Sequence, residues 1–168
     1  MKCKLHSVYI QVGHVFLAGL VWVATSCTKE SIENVNVGSF PKAENVVAVE
    51  QELLLAVNDH RAALGQTVLE YSAVAHKYAD NHNDYMIAKG DLSHDNFSAR
   101  ASSISSEVNA EYVAENVAKD YDNAQEALEG WLNSSSHKKT MEGEFTHTAV
   151  SVKKDANGNF YFTQLFYR

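Results

Sequence analysis

Apolar residues recur with helical spacing from about Glu44 to Leu64, at Val46, Val49, Leu53, Leu54, Val57 and Leu64. A 3.6-residue period of this kind predicts an amphipathic helix, and Gly65 is a natural stop because glycine adopts the left-handed conformation at little steric cost. A second helix is expected from Ser72, a good N-cap, to Gly90, with Ala75, Tyr78, Ala79, His82, Tyr85 and Met86 on its apolar face. Asp91 to Ala110 has no clear period and is rich in Ser, Asp and Asn, so it reads as a long loop with at most one helical turn. A third helix is expected to open at Asp122, with Gln125 completing a capping box and Ala124, Ala127, Leu128, Trp131 and Leu132 forming the buried stripe. The period then changes to two over Thr148 to Val152. A turn at Asp155-Ala156-Asn157-Gly158 leads to a return strand from Phe160 to Tyr167. That strand is apolar on both faces, which places it inside a sheet covered by helices on two sides.

The N-terminal residues stand apart from this pattern. Lys2 and Lys4 open the chain, no acidic residue precedes Glu30, and Val8 to Val23 is apolar apart from Gln11 and His14. A basic start, a short apolar run and small residues describe a secretory signal over 1–26, and the run is short of the ~20 residues that a spanning helix needs. Ala24-Thr25-Ser26-Cys27 resembles a bacterial lipobox, which implies lipidation at Cys27 and a membrane partner through that anchor. Residues 27–43 then form a flexible tether, and residues 44–168 the folded domain. Cys3 would leave with the signal, so no disulfide staples the domain and its core must hold it. Loss of Lys2 and Lys4 takes the formal charge from −7 to −9. An acidic domain with no basic stripe excludes nucleic acid as an expected partner.

Six motifs in order bring a family into view. Leu53-Leu54-Leu55-Ala56-Val57-Asn58-Asp59-His60-Arg61 resembles the opening helix of bacterial CAP domains, relatives of cysteine-rich secretory, antigen 5 and pathogenesis-related proteins. Ala79, His82 and Met86 followed by Ser93-His94 continue the likeness. Ala114-Glu115-Asn116-Val117 is similar to the family's Gly-Glu-Asn-Ile, and Gly130-Trp131-Leu132-Asn133-Ser134 with His137 to its Trp-x-x-Ser-x-x-His. Phe145-Thr146-His147 leads into the penultimate strand, and Tyr161-Phe162-Thr163-Gln164-Leu165-Phe166 resembles the closing strand. The resemblance spans roughly residues 48 to 168. It implies an α+β fold, a three-layer α-β-α sandwich with a central, mostly antiparallel sheet.

The resemblance also implies a groove lined by His94, Glu115 and His137, with Ser134 near the place of a second glutamate in animal relatives. Two imidazoles and a carboxylate suit a divalent metal such as zinc, with His94 and His137 as the ligands of choice. A zinc-bound water would be a nucleophile at neutral pH. Without metal, one imidazole would serve as general base for the hydroxyl of Ser134, Ser135 or Ser136. The leading expectation is a binding module that takes a small or lipidic ligand, a metal or a partner protein. The alternative is a metal-dependent or serine-type hydrolase acting on peptide or cell-wall material, and a third is an interaction protein with a vestigial groove. The expected location is the cell envelope, lipid-anchored, at the outer membrane or cell surface if the cell is Gram-negative. His82 is expected as a hydrogen-bonded core histidine, Asn116 as a satisfier of loop backbone, and His60 and His76 as exposed. Two departures from the family, Lys138-Lys139-Thr140-Met141-Glu142 after His137 and Ala149-Val150-Ser151 in place of Gly-Val-Gly, alter the groove wall and the strand packing.

Overall fold

The structure is a computed structural model and describes residues 43–168. The signal, most of the tether and Cys27 lie outside the described residues.

Helix α1 (Val47–Ala63) buries Glu50, Leu53, Val57 and Arg61, a row at three- and four-residue spacing. It ends where Gly65 takes φ 72°, with the Gly65 and Gln66 N–H groups donating back to Ala62 and Arg61. Helix α2 (Ala73–Lys89) begins as expected: Ser72 Oγ accepts from the Ala75 N–H at 3.1 Å, and Gly90 closes the helix at φ 78°. Tyr85, expected on the buried face, is 38% exposed, and Asn83 is buried in its stead. Asn83 spans the sheet surface, donating to the Ser151 carbonyl at 2.8 Å and accepting from Thr163 Oγ1 at 2.7 Å. The serine that replaces glycine in this strand is thus accommodated by a polar bridge.

The expected long loop is largely a helix. Helix α3 (Phe97–Val108) runs for 12 residues, and its buried positions are Arg100 and Ile104 alone. An apolar stripe is present at Phe97, Ala101, Ile104 and Val108, with Phe97 and Val108 half-buried beside Ile104, but it is sparse among the serines. The serines outside add no signal, although Ser103 and Ser106 return their hydroxyls to the carbonyls four residues back. Helix α4 (Ala124–Asn133) is capped one residue later than expected: Asn123 accepts from the Glu126 N–H at 2.9 Å, and Glu126 accepts from the Asp122 N–H at 3.1 Å. Helix α5 (Ser135–Met141) follows after Ser134 and buries Met141.

The sheet has the order β1-β4-β5-β3, built from β1 (Glu44–Asn45), β3 (Val113–Lys119), β4 (His147–Lys154) and β5 (Phe160–Tyr167). These pairings are antiparallel, and the short β2 (Glu70–Tyr71) pairs parallel with the start of β4. Cross-strand partners share a face. Ala118, Phe162 and Val152 stand in one row and join Leu53, Val57, Leu128 and Trp131 in the larger core. Glu115, Leu165 and Ala149 form a row three steps along, on the opposite face, where Ala75, Ala79 and Ile104 pack. Helices therefore cover both faces, α1, α4 and α5 on one and α2 and α3 on the other, which is the expected three-layer sandwich. No helix among the described residues is long and apolar enough to cross a membrane.

Candidate functional site

The site forms around β3, which closes one side of the sheet and, among the described residues, pairs only with β5. Neighbouring residues of a strand point to opposite faces. Glu115 therefore turns toward α2 and α3, while Asn116 turns toward α5.

On the first face His94 comes from the segment between α2 and α3, and this segment is tightly pinned. Lys89 and Tyr85 donate to Asp95 Oδ2 at 2.7 and 2.8 Å, and Ser93 Oγ accepts from the Asp95 N–H at 2.9 Å. Lys89, Tyr85 and Ser93, in that order, pull the Asp95 carboxyl far below the usual carboxylate range. His82, buried beneath, donates from Nε2 to the Ser93 carbonyl at 2.7 Å and stacks on the Tyr85 ring. It is the core histidine expected. Burial holds its pKa below the ordinary imidazole value, against the opposing pull of Glu115.

His94 and Glu115 meet as the resemblance implied, at 2.9 Å between Nδ1 and Oε1. The carboxylate is spoken for by a second partner. Arg100 of α3 donates from Nε to Oε2 at 2.8 Å and from Nη2 to Oε1 at 2.9 Å, and its Nη1 holds the Asp95 carbonyl at 3.0 Å. A planar guanidinium matches two carboxylate oxygens at once. The Glu115 side chain is 1% exposed and that of Arg100 8%, so this is a buried ion pair. Arg100 escaped the sequence reading. Its signal was present: it is the sole Lys or Arg between Lys89 and Lys119.

On the other face Asn116 donates to the His137 carbonyl at 3.1 Å and so ties α5 to the strand. His137 is half-buried, and its pKa is lowered first by burial and then by the nearby His94. The His94 side chain is 54% exposed while His137 is half-buried. Ser134 sits apart. Its hydroxyl lies 3.2 Å from that of Ser136, and it lines a shallow depression of about 420 Å³ with Tyr121, Glu126 and Gly130. No hydrogen bond among the described residues joins it to His94, Glu115 or His137. His60 and His76, expected exposed, are half-buried and bonded to Glu142 and Glu50 at 2.9 and 3.1 Å. Carboxylates of other elements recruit them, which local spacing does not reveal.

Among the described residues no group of three or more His, Cys, Asp and Glu side chains is placed to hold a metal ion. The reason lies in Glu115. Its oxygens face a fixed cation, and a divalent ion there would have to displace the guanidinium. What the arrangement supplies instead is an imidazole oriented by a carboxylate, with Nδ1–H directed to Glu115 and Nε2 directed outward. A cavity of about 1560 Å³ opens elsewhere, beside the β4–β5 turn, and is lined by Lys153, Asp80, Asp84 and Tyr161 among others. It contains none of the three groove residues, so the chemistry, not the volume, marks the candidate site.

Residues 54–166 match the profile of the Cysteine-rich secretory protein family, CAP. The uncharacterised membrane protein YlbC of Bacillus subtilis (strain 168) is 29% identical over 123 residues, 70% of this chain and 34% of the relative. The chain thus spans about a third of that relative's length. Among solved structures, an outer surface protein from Borrelia burgdorferi superposes with a TM-score of 0.68 at 17% identity, covering 76% of this chain and 98% of that one. An extracellular protein containing an SCP domain from Bacillus anthracis gives a TM-score of 0.63 at 25% identity, covering 73% of this chain and 41% of the other. A cysteine-rich secretory protein from Staphylococcus aureus gives 0.62 at 17% identity, over 78% and 40%.

Proposed function

Because the chain belongs to the cysteine-rich secretory protein (CAP) family, we propose that it is an exported, envelope-anchored domain that captures a ligand in the cleft between His94 and His137. The carrying observation is the state of Glu115. A carboxylate 1% exposed, held through both oxygens by Arg100, positions the site and does not act in it. To serve as general base or metal ligand it would have to break a buried ion pair, and the uncompensated charge left behind is costly. A fixed anion beside an exposed imidazole is suited to recognition. Export and anchoring rest on the signal-like start and on Cys27. They are supported by relatives described as an outer surface protein, an extracellular protein and a membrane protein.

One observation favours the hydrolytic reading. His94 is oriented by Glu115 with Nε2 free, which is the geometry of a general base awaiting a nucleophile. Both readings are tested by recording the His94 and His137 imidazole resonances by NMR while ligands are added, in parallel with a peptide- and muropeptide-cleavage assay. Binding moves both resonances without turnover. Turnover that disappears in His94→Ala while the fold is retained would replace capture by hydrolysis.

A further inference from the structure

The main chain of β3 carries a second layer of information. Along β4 the edge of the sheet is covered at both ends, on either side of the buried Val150. β1 pairs at Lys153 and Lys154, β2 at His147 and Thr148, and Val152 has both main-chain groups occupied, by the Val46 N–H and by Glu50 Oε1 at 2.9 Å each. Proteins usually blunt their sheet edges in this way, because an unpaired edge is a template for another strand. β3 is treated differently. Tyr112 and Arg168 exchange main-chain bonds in both directions, at 3.3 and 3.1 Å, and the Asp120 N–H donates to Phe160 at 3.1 Å. In an antiparallel ladder this alternation means that even-numbered residues bond to β5. The odd ones, Val113, Glu115 and Val117, direct N–H and C=O away from the sheet. Val117 confirms the orientation, since its carbonyl accepts from the Trp131 indole at 3.2 Å.

Val113 and Glu115 have no such cover: among the described residues nothing bonds their outward N–H and C=O groups. They are reachable as well. The Glu115 side chain is 1% exposed but the whole residue 9%, so the surface that Glu115 offers is its main chain. His94 bonds the Glu115 side chain on one face of this strand, and Asn116 holds the His137 carbonyl on the other.

We infer that the ligand of this cleft is an extended peptide segment, which docks as an added strand along Val113 to Glu115. This rests on the capture reading above and names its ligand class. Two donors and two acceptors repeat over about 6.8 Å, the two-residue step of an antiparallel strand, which matches a peptide main chain and no lipid chain or sugar ring. Alternate side chains of the peptide fall toward His94 and toward His137. The pairing stops at Val117, where Trp131 occupies the carbonyl, so the docked segment is short.

The test uses the full-length chain and a pooled library of seven-residue acetylated peptides. Binders are recovered and resynthesised with single N-methyl groups at successive positions. The expected result is a binder that moves the Glu115 amide resonance, slows its exchange with solvent, and loses affinity about five- to tenfold on N-methylation at alternate positions, the effect of one hydrogen bond. Val113→Pro removes one outward N–H without touching the β5 ladder, a place where an edge strand tolerates proline. It should weaken binding by a similar factor, while Val113→Ala does not. Should Val113→Pro fail to fold, the N-methyl series still decides. Binders that are indifferent to N-methylation, or that leave the Glu115 amide unmoved, overturn strand addition. So does a library without binders, or a chain that only dimerises through this edge. If lipid micelles or muropeptides still move the His94 and His137 resonances, the capture reading survives that failure. If nothing moves them, both fall.

Discussion

Replacing Arg100 by methionine isolates the role of the clamp. Methionine keeps the length and flexibility of the stem but removes the guanidinium, which holds Glu115 at 2.8 and 2.9 Å and the Asp95 carbonyl at 3.0 Å. Both partners are buried, at 8% and 1% side-chain exposure, so solvent screens the pair little. Breaking such a pair from one side leaves an uncompensated charge and costs about 3–5 kcal/mol. Arg100→Met/Glu115→Met removes both charges, and a well-packed apolar pair in this position recovers most of that loss. Urea unfolding at neutral pH of wild type, both single variants and the double variant yields the coupling energy directly. A second readout comes from His82, whose pKa Arg100 helps to lower, so in Arg100→Met it should rise. A single-variant loss below about 1 kcal/mol, the range of surface pairs, would show that Glu115 is solvated or neutral. The same holds if the double variant is no more stable than the singles. The case for Glu115 as a fixed structural anion would then fail.

Zinc added at micromolar concentration should not bind stoichiometrically to the wild-type chain, because the two imidazoles lack a free carboxylate; isothermal titration beside a His94→Ala/His137→Ala variant checks this. His76 has a raised pKa, chiefly through its hydrogen bond to Glu50. Its stabilisation is complete below the unfolded value of about 6.5 and fades as pH rises through the higher folded value. Melting curves from pH 5.5 to 8.5 should show that decline, and His76→Gln should flatten it. Gly130→Ala places a methyl group against the Tyr121 ring, which should cost about 1–3 kcal/mol by overpacking and show as a lowered urea midpoint. Cys27→Ser should move the protein from the detergent-soluble membrane fraction to the soluble fraction, measured by phase partitioning.

Much of the architecture is local information. The period of α1 and α2, the Ser72 cap, the glycines that end both helices and the two-faced apolar β5 are written in neighbouring residues, so reading the pattern recovers the layers. His94 and Glu115 were reached through motifs, and they do meet. What spacing does not hold is anything made by pairing distant segments. Helix α3 fully buries only Arg100 and Ile104, and Arg100 is held by an ion pair with a strand residue fifteen positions away. The same contact changes Glu115 from a reactive carboxylate into a fixed anion. Whether the main chain of β3 is covered or open depends on the order of strands in the sheet and on one indole from α4. Side-chain chemistry and periodicity belong to the sequence, because they are fixed residue by residue. The partner of each buried charge and of each main-chain edge belongs to the tertiary fold, because only it decides which segments lie side by side.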